Sequence, residues 1–432
     1  MVNRNVMRKG LIILFWIAVW QLLSVVVDNG ILMVSPWQTF HALLSAVRKM
    51  DFWLSIAHSF CRIGMGFLLG CVTGLGLAAV SSRCSIIEEL LAPLMMLCKA
   101  IPVASFVVML LIWWGASGLS VAICFLVVLP NVYISTLEGI KNTDKCLVEM
   151  AQVFHMTAKT KFFYVFRPAL KPFVYSSLKV SLGMCWKSGV AAEVIGLPQL
   201  SIGEQLYLSK IYLETADVFA WTVVIMILSV AFEKIVLKAV WLFFAWEPIC
   251  LAGIVKDRTN ASITTEQLCK DYDGKSVLEK VSVLYEPGHI YYLSSPSGSG
   301  KTTFLRILCG LEQADKGKKE DGGMRYSMVF QENRLCEEYS AVRNVEMAIG
   351  DRHRARAALE ELLEQDALDK PCSQLSGGMK RRVALVRAME SNSDCVLLDE
   401  PFTGLDAETR QQVEAYIARK QQGRIMIIAT HI

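Results

Sequence analysis

The chain has 432 residues, of which 53% are hydrophobic and 19% charged, and its formal net charge is +4 at pH 7. Its length and apolar content exclude a single small soluble domain. The small net charge argues against a large nucleic-acid interface, so we expect no nucleic-acid partner. The thirteen cysteines form no Cys-x-x-Cys pair, which favours reduced, buried thiols over a disulfide framework or a zinc site.

The composition changes sharply along the chain. Long apolar stretches fill the first part, whereas charged residues occur in nearly every block of ten from about residue 256 onward. We therefore predict a multi-domain protein, with a transmembrane domain over 1–247, a linker over 248–261 and a soluble domain over 262–432.

The first domain contains stretches long and apolar enough to cross a hydrocarbon core of about 30 Å as helices. The six predicted spans are 10–27, 56–80, 87–113, 118–138, 173–196 and 218–245. No small-residue cleavage site follows the first stretch, so we expect a retained span and not a secretory signal. The domain is thus predicted to be all-α, with the lipid bilayer as its surroundings.

Basic residues predict the orientation of these spans. They cluster before the first span and between the fourth and fifth, from Lys141 to Lys171, whereas Arg48 and Lys49 fall on the opposite side. Because cytoplasmic loops carry an excess of Lys and Arg, we predict a multi-pass protein of the cytoplasmic membrane with both termini in the cytoplasm.

Four ionisable residues fall inside the predicted spans, namely Arg62, Lys99, Lys187 and Glu193. Charges in a membrane are costly and mark candidate solute pathways, and three cations against one anion favour an anionic solute. The alternative is that these side chains extend to an interface or pair within the helix bundle.

The segment between the fourth and fifth spans, 149–173, reads EMAQVFHMTAKTKFFYVFRPALKPF. We expect a helical break after Phe154 and His155, and we expect the second helical segment to end at Arg167–Pro168. The stretch 149–173 resembles the coupling loop of binding-protein-dependent ABC importer permeases, in which Glu149, Ala151 and Pro168 fit the pattern, whereas His155 stands where the family has glycine. The resemblance implies a short helical segment that docks into a groove of a motor domain. The alternative is an ordinary amphipathic loop at the membrane surface.

Further stretches support this resemblance. SPWQTFHALL at 35–44, LAPLMMLCKAIPVASFVVMLLIWWG at 91–115 and AAEVIGLPQLSIGEQL at 191–206 look like permeases of the nitrate, sulfonate and taurine importer family. Members of that family depend on an external solute-binding protein, so the resemblance implies such a partner and a small-molecule solute.

In the soluble part, alternating residues predict strands that lead into the phosphate-binding loop SSPSGSGKTT, followed by a helix through TTFLRILCGL. Backbone N–H groups and the helix N-terminus in such a loop bind phosphate. Lys301 would contact the β- and γ-phosphates, and Thr302 would ligate Mg²⁺. Ser295 stands where the usual pattern begins with glycine, and this departure matters only if the backbone there needs φ > 0.

Other motifs follow in the same order as in ABC ATPases. LSGGM at 375–379 resembles the signature with Met379 in place of glutamine, CVLLDEP at 395–401 is an apolar strand that ends in Asp399 and Glu400, and GLDAE at 404–408 matches the D-loop. Gln331 matches the Q-loop, His431 the switch histidine and Tyr272 the aromatic that stacks on adenine. Each motif alone has a simpler interpretation, such as a helix cap at Ser376, a strand-end acidic pair or a core aromatic.

We therefore identify the second part as similar to an α/β P-loop ABC ATPase domain, with ATP and Mg²⁺ as expected cofactors. The expected catalytic residues are Glu400, His431, Gln331 and Lys301, and the expected metal-binding residues are Thr302, Gln331 and Asp399. The expected nucleotide-binding residues are Tyr272, Ser297, Gly298, Ser299, Gly300, Lys301, Thr302, Thr303, Ser376, Gly377 and Gly378.

In that family the signature of one ATPase domain meets the phosphate loop of a second, which implies a partner chain, most simply a homodimer. The chain stops one residue after His431, so we expect a domain shortened at its C-terminus. The leading hypothesis is a fused permease and ATPase of an ABC importer. The alternatives are an ABC exporter half-transporter and a weakly hydrolysing, ATP-binding regulator.

Overall fold

The computed structural model describes residues 2–246, 259–272, 274–296 and 298–430. The chain forms two compact units, one from Met1–Asn142 and Leu170–Trp246, the other from Thr143–Ala169 and Glu247–Ile432. The segment Thr143–Ala169 therefore lies between membrane-type helices in the sequence but folds with the second unit.

Ten α-helices lie among the described residues up to Trp246. Their bounds are α1 Val2–Val27, α2 Pro36–Val47, α3 Met50–Ser81, α4 Ser85–Ala100, α5 Val103–Lys141, α6 Lys145–Val153, α7 Ala158–Lys161, α8 Arg167–Gly196, α9 Ile202–Ile211 and α10 Thr215–Ala245. A π-helical turn, Phe162–Phe166, joins α7 to α8.

Three described stretches are long and apolar enough to cross a membrane by length and composition, namely Gly10–Val27, Met50–Ser81 and Ser105–Lys141. They belong to α1, α3 and α5. The expected spans at 173–196 and 218–245 lie within α8 and α10. Their passage through the bilayer stays a prediction.

The expected span 87–113 is wrong as a single helix. The helix α4 ends at Ala100, Ile101 is extended with φ −75° and ψ 128°, and α5 starts after Pro102. The reason is that proline disfavours the helical conformation of the residue before it. A second break lies inside α5 at Gly115, with φ 69° and ψ −179°, between the third and fourth expected spans.

Small residues on α3 allow close packing against α5. A Cβ atom built on Gly70 would lie 2.9 Å from Cβ of Val128, and one on Gly74 would lie 3.1 Å from Cβ of Val132. Because these pairs advance together along both helices, α3 and α5 run parallel. Such stripes of small residues are typical of helix interfaces in membranes.

The segment Thr143–Ala169 starts with a capped helix. Asp144 precedes α6, and its carboxylate accepts a hydrogen bond of 2.8 Å from the backbone N–H of Cys146. The helical break expected after Phe154 and His155 is present. The end expected at Arg167–Pro168 is wrong, because α8 starts there and continues to Gly196. Pro168 follows the π-helical turn, in which the N–H of Arg167 donates to the carbonyl oxygen of Phe162. The regular i→i−4 pattern is interrupted there, so the helix tolerates a residue without an N–H.

The described part of the ATPase-like half contains seven strands and six α-helices. The strands are β1 Ile263–Tyr272, β2 Lys275–Tyr285, β3 Ile290–Ser294, β4 Lys316–Glu320, β5 Tyr326–Val329, β6 Cys395–Asp399 and β7 Ile425–Thr430. The helices are α11 Lys301–Leu308, α12 Ala341–Ile349, α13 Arg352–Glu360, α14 Gln365–Leu368, α15 Gly377–Glu390 and α16 Ala407–Lys420, and a 3₁₀ turn covers Cys372–Gln374.

These strands form two sheets. One is antiparallel with the order β2-β1-β4, and the other is parallel with the order β3-β7-β6-β5. The residues of β5 and β6 are buried throughout, as expected for parallel strands covered on both faces. In such sheets the carboxyl ends of the strands carry the ligand site.

The α3–α5 contact generates a stability prediction. A Cβ on Gly66 would meet the carbonyl oxygen of Val121 and lie 2.7 Å from Cβ of Cys124, so Gly66→Ala forces the helices apart. We expect a loss of about 1–3 kcal/mol in unfolding free energy, measured by thermal unfolding in detergent.

Gly64 and Gly76, on the same helix, provide matched controls, because a Cβ there would meet nothing within 4 Å. Alanine at either site removes a helix-weakening glycine, so the change is expected to be neutral or slightly stabilising. Equal losses at Gly64 and Gly66 would contradict the packing argument.

Candidate active site

The predicted phosphate-binding loop joins β3 to α11. Gly298 and Gly300 both have left-handed backbones, with φ of 80° and 85°. A Cβ on Gly300 would lie 2.7 Å from the carbonyl oxygen of Val277, so this glycine is required for space as well as conformation. Ser297 lies outside the described residues.

Ser295, which stands where the motif usually has glycine, does not have a positive φ. Its hydroxyl oxygen lies 2.6 Å from that of Ser299, at hydrogen-bond distance. The strand-to-loop turn therefore accommodates a side chain at this position without backbone strain.

Lys301 is the first residue of α11 and its ammonium group turns back over the loop. Nζ donates to the carbonyl oxygen of Ser295 and, at 3.1 Å, to that of Pro296. The charge thus lies at the loop, where a lysine can neutralise bound phosphate.

The carboxylate of Asp399, at the end of β6, lies next to Thr302. Asp399 is only 1% exposed. Burial raises the pKa of its carboxyl group, and a hydrogen bond from the Thr302 side chain opposes that rise. Within the described residues Oδ2 of Asp399 has no hydrogen-bond partner. A buried carboxylate oxygen without a donor, beside a hydroxyl group, fits a hard divalent cation such as Mg²⁺.

Glu400 has an unusual backbone, with φ 49° in the left-handed region. Its N–H donates to the carbonyl oxygen of Ala429 at 3.0 Å, and its Oε2 lies 3.3 Å from the hydroxyl of Thr403. Non-glycine residues in this region cost about 1–3 kcal/mol and often lie at functional sites. The neighbouring strand β7 thus supports the strained turn.

Arg381 of α15 contacts the segments that follow the carboxyl ends of β5 and β6. No sequence motif indicated this residue. Its guanidinium donates to the carbonyl oxygens of Gln331, at 3.2 Å, and Glu400, at 2.6 Å. Gln331 itself is exposed and directly follows Phe330 at the end of β5. One side chain therefore connects the two segments that carry expected catalytic residues.

The signature residues lie at the exposed N-terminus of α15. Ser376 caps this helix, because its hydroxyl accepts a hydrogen bond of 3.3 Å from the N–H of Met379. Gly377 and Gly378 form the first turn. The helix-cap interpretation therefore holds, and contact with a phosphate of a partner chain stays a prediction.

Tyr272 ends β1 with 42% of its surface exposed, which excludes the core-aromatic interpretation. Its hydroxyl donates to Glu312 and also contacts the side chain of Thr303. Nζ of Lys270 lies 5.5 Å from the ring centroid. The ring is accessible for stacking on a base. His431 lies outside the described residues.

Glu149, on α6, is held by two arginines of the ATPase-like half. Its carboxylate accepts two hydrogen bonds from Arg306, at 2.9 and 3.0 Å, and a third from Arg334 at 2.6 Å. The hydrogen bonds from Arg306 hold the pKa of Glu149 below its ordinary value, partial burial opposes this, and Arg334 adds to the lowering. A bidentate pair of this kind is both strong and directional.

The other expected residues of this segment have distinct environments. Ala151 is 1% exposed, and His155 has φ 48°. The left-handed backbone of His155 explains why glycine suits this position. Pro168 lies in the first turn of α8. Phe154 packs under Arg387, whose guanidinium carbon is 5.0 Å from the ring centroid.

Arg306 also connects Glu149 to the expected base site. Its Nε donates to Glu312 at 3.4 Å, and Glu312 accepts from the hydroxyl of Tyr272. The chain of contacts therefore runs from Tyr272 to Glu149 through two charged side chains. Neither Glu312 nor Arg306 belongs to one of the motifs identified in the sequence, so the spacing of motif residues could not identify them.

Two of the four ionisable residues in the predicted spans pair with each other. Arg62 and Glu193 lie 3.9 Å apart, and Glu193 also accepts a hydrogen bond of 2.6 Å from Ser59. Pairing within the bundle is therefore the observed arrangement for these two. Lys99 and Lys187 are exposed on the first unit.

Each half of the chain matches the model of a known protein family. Residues 278–403 match the family model described as ABC transporter, and residues 66–243 match that of the binding-protein-dependent transport system inner membrane component. Tyr272 and His431 lie outside the first of these ranges.

Several ATP-binding proteins are similar in sequence to the second half. The aliphatic sulfonates import ATP-binding protein SsuB 1 of Rhodococcus jostii is 40% identical over 171 residues, which cover 37% of this chain and 69% of that protein. SsuB 3 of Nocardia farcinica is 38% identical over 178 residues, with 40% and 72% covered. The sulfate/thiosulfate import ATP-binding protein CysA of Synechococcus elongatus is 34% identical over 182 residues, with 38% and 53% covered.

The geometry of Ser295 predicts that Ser295→Gly changes the ATPase rate by less than about tenfold, or 1.4 kcal/mol, because the turn needs no positive φ. Steady-state ATP hydrolysis measures this. Gly300→Ala is the contrasting variant and is expected to abolish most activity, since its Cβ would meet the Val277 carbonyl. A gain above tenfold from Ser295→Gly would refute the prediction.

The lowered pKa of Glu149 predicts a pH-dependent contribution to stability. The ionised carboxylate contributes above the unfolded pKa, near 4.5, and the contribution disappears as pH falls through the lower folded pKa. Glu149→Gln is therefore expected to cost about 1.5–3 kcal/mol at pH 7, and the difference from the native protein should shrink toward pH 4.

Thermal unfolding from pH 7 to pH 4 tests this. Glu332→Gln is the matched control, because Glu332 is 72% exposed and contacts the same Arg334 at 3.4 Å. An exposed pair of this kind contributes about 0–1 kcal/mol. A penalty for Glu149→Gln that is unchanged at pH 4 would contradict the assigned ionisation.

Proposed function

Because the chain belongs to the ABC transporter family, as a permease domain fused to an ATPase domain, we propose that it imports a small anion across the cytoplasmic membrane. ATP binding and hydrolysis drive this transport. The anion class follows from the relatives, whose names specify import of sulfonates and of sulfate or thiosulfate. Within this chain, the exposed Lys99 and Lys187 are candidate contacts for such a solute.

The observation that carries the proposal is the position of Thr143–Ala169. This segment connects membrane-type helices in the sequence, yet it folds within the ATPase unit, where Glu149 is bound by Arg306 and Arg334. A segment shared in this way transmits motion of the nucleotide-binding elements to the helices that flank it. Alternating access of the permease then follows two states of the ATPase domains.

Each expected site residue has a role in this scheme. The backbone of Gly298, Ser299 and Gly300 binds phosphate oxygens, and the ammonium group of Lys301 neutralises them. Tyr272 stacks on adenine. Glu400 accepts a proton from the attacking water, while Gln331 and His431 orient that water and the γ-phosphate.

Thr302, Asp399 and Gln331 are the residues that would hold Mg²⁺. The unpartnered Oδ2 of Asp399 and its contact with the Thr302 hydroxyl support this assignment. When bound, the ion neutralises charge on the phosphate oxygens.

The proposed assembly is a homodimer in the membrane, with both termini and the ATPase domain in the cytoplasm. Ser376, Gly377 and Gly378 of one chain would contact the γ-phosphate held by Lys301 of its partner. The exposed N-terminus of α15 is compatible with this contact. A separate solute-binding protein would deliver the anion from outside.

The decisive variant is Glu400→Gln in purified protein reconstituted in lipid. Loss of the general base should lower the rate of ATP hydrolysis by about 10²–10⁴-fold while ATP still binds. ATPase rate and nucleotide affinity are measured together. Glu414→Gln, an exposed glutamate paired with Arg410, is the control and should leave the rate unchanged.

The direction and cargo are tested with the same vesicles. Addition of a sulfonate- or sulfate-binding protein with its solute is expected to stimulate hydrolysis and to fill the vesicles with labelled solute. Equal slow rates in the native protein and Glu400→Gln would exclude the motor function. ATP-driven movement of solute from the cytoplasmic face to the opposite face, without a binding protein, would indicate an exporter.

A further inference from the structure

Arg381 is a buried cation that lies between the two segments of the ATPase site. It is 4% exposed and projects from the second turn of α15. One terminal nitrogen donates to the carbonyl oxygens of Phe330 and Gln331, the latter at 3.2 Å. The other donates to those of Asp399 and Glu400, at 2.5 and 2.6 Å.

The hydrogen-bond partners of this guanidinium are mostly backbone carbonyls. Among the described residues Arg381 forms no ion pair within 4 Å, and its one side-chain acceptor is Oδ1 of Asn333 at 3.5 Å. Burial lowers the pKa of Arg381, and the negative charges of Asp399 and Glu400 oppose that shift. A buried charge held by carbonyls costs free energy, so a purely structural site would be served as well by a neutral donor.

The contact to Glu400 has particular weight because that residue is strained. Its φ of 49° persists only if the surrounding structure holds it. Its N–H donates to the carbonyl oxygen of Ala429 at 3.0 Å. Its own carbonyl oxygen accepts from the guanidinium of Arg381 at 2.6 Å and from the N–H of Thr403 at 3.2 Å. Arg381 thus supports one side of the strained peptide.

We propose that Arg381 is a positioning residue for ATP hydrolysis, which fixes the Glu400 backbone relative to Gln331. This inference rests on the proposed ATPase role of these two residues. One planar guanidinium that spans both strand ends keeps their separation constant, as the reaction requires of groups that surround an attacking water. Arg381 itself touches neither the nucleotide nor the water.

Removal of the guanidinium has a local physical consequence. In Arg381→Gln the shorter amide reaches one pair of carbonyls at most, so the link between the two pairs is lost. The Glu400 carbonyl keeps only the N–H of Thr403 among these donors, and the turn can relax. Lysine keeps the charge and several donors but lacks the fork, so Arg381→Lys should be intermediate. Arg382 is the matched control, since its guanidinium donates to the Leu362 carbonyl at 2.6 Å, away from the site.

The kinetic test compares native protein, Arg381→Gln, Arg381→Lys and Arg382→Gln in lipid. We expect Arg381→Gln to lower kcat, expressed per folded molecule, by about 10- to 100-fold, with ATP affinity little changed. Arg381→Lys should recover part of the loss, and Arg382→Gln should behave as native. In the Glu400→Gln background, Arg381→Gln should have little further effect, since both changes act on the same group.

Hydrogen exchange provides a readout that needs no hydrolysis. Peptides that contain the Glu400 amide should exchange faster in Arg381→Gln than in native protein or Arg382→Gln, while β7 stays protected. Unchanged exchange at Glu400 would overturn the inference. The inference would also be overturned if Arg381→Gln lowered kcat by the same factor in the native and Glu400→Gln backgrounds. Absence of ATPase activity in native protein, with faster exchange in Arg381→Gln, would refute the proposed function but retain the positioning contact.

Discussion

The carboxylate of Glu149, bound between Arg306 and Arg334, is the interaction on which the two halves of the site depend. Arg306 belongs to α11, which begins at the phosphate loop, and Arg334 lies three residues after Gln331. A single group on α6 is thus tied to the elements on either side of the expected nucleotide. The pairing with Arg306 is bidentate and partly shielded from water, which makes it both strong and directional.

The parallel sheet explains why separate motifs come together. The strands β3, β5, β6 and β7 end at the same edge, so the phosphate loop, Gln331, Asp399 and Glu400 converge there although they span more than 100 residues of sequence. The apolar burial of β5 and β6 makes that edge rigid. Rigid strands carrying polar termini are a suitable support for charge stabilisation.

The P-loop, Asp399 and Glu400 could be predicted because their chemistry requires fixed spacing within a few residues. The contacts of Arg306 and Arg334 with Glu149, and those of Arg381 with the strand ends, could not be predicted. They join positions separated by 18 to 185 residues and depend on tertiary packing. The break at Pro102 was missed for a different reason: uniform hydrophobicity over 87–113 conceals a backbone constraint. Ser295 could be judged only once its φ was known. At His155 the departure from the family's glycine does fall on a left-handed backbone, unlike the departure at Ser295.

The chain passes between its two compact units three times, after Asn142, after Ala169 and after Trp246. If the peptide bond after Trp246 were cut, the two pieces would still share the segment Thr143–Ala169, held by Glu149 and by Tyr164, whose ring lies 5.0 Å from that of Tyr339. The covalent fusion therefore raises the effective concentration of each piece for the other. A gene split at this junction could encode the same transporter as two subunits, and the fused form guarantees that they are made in equal number.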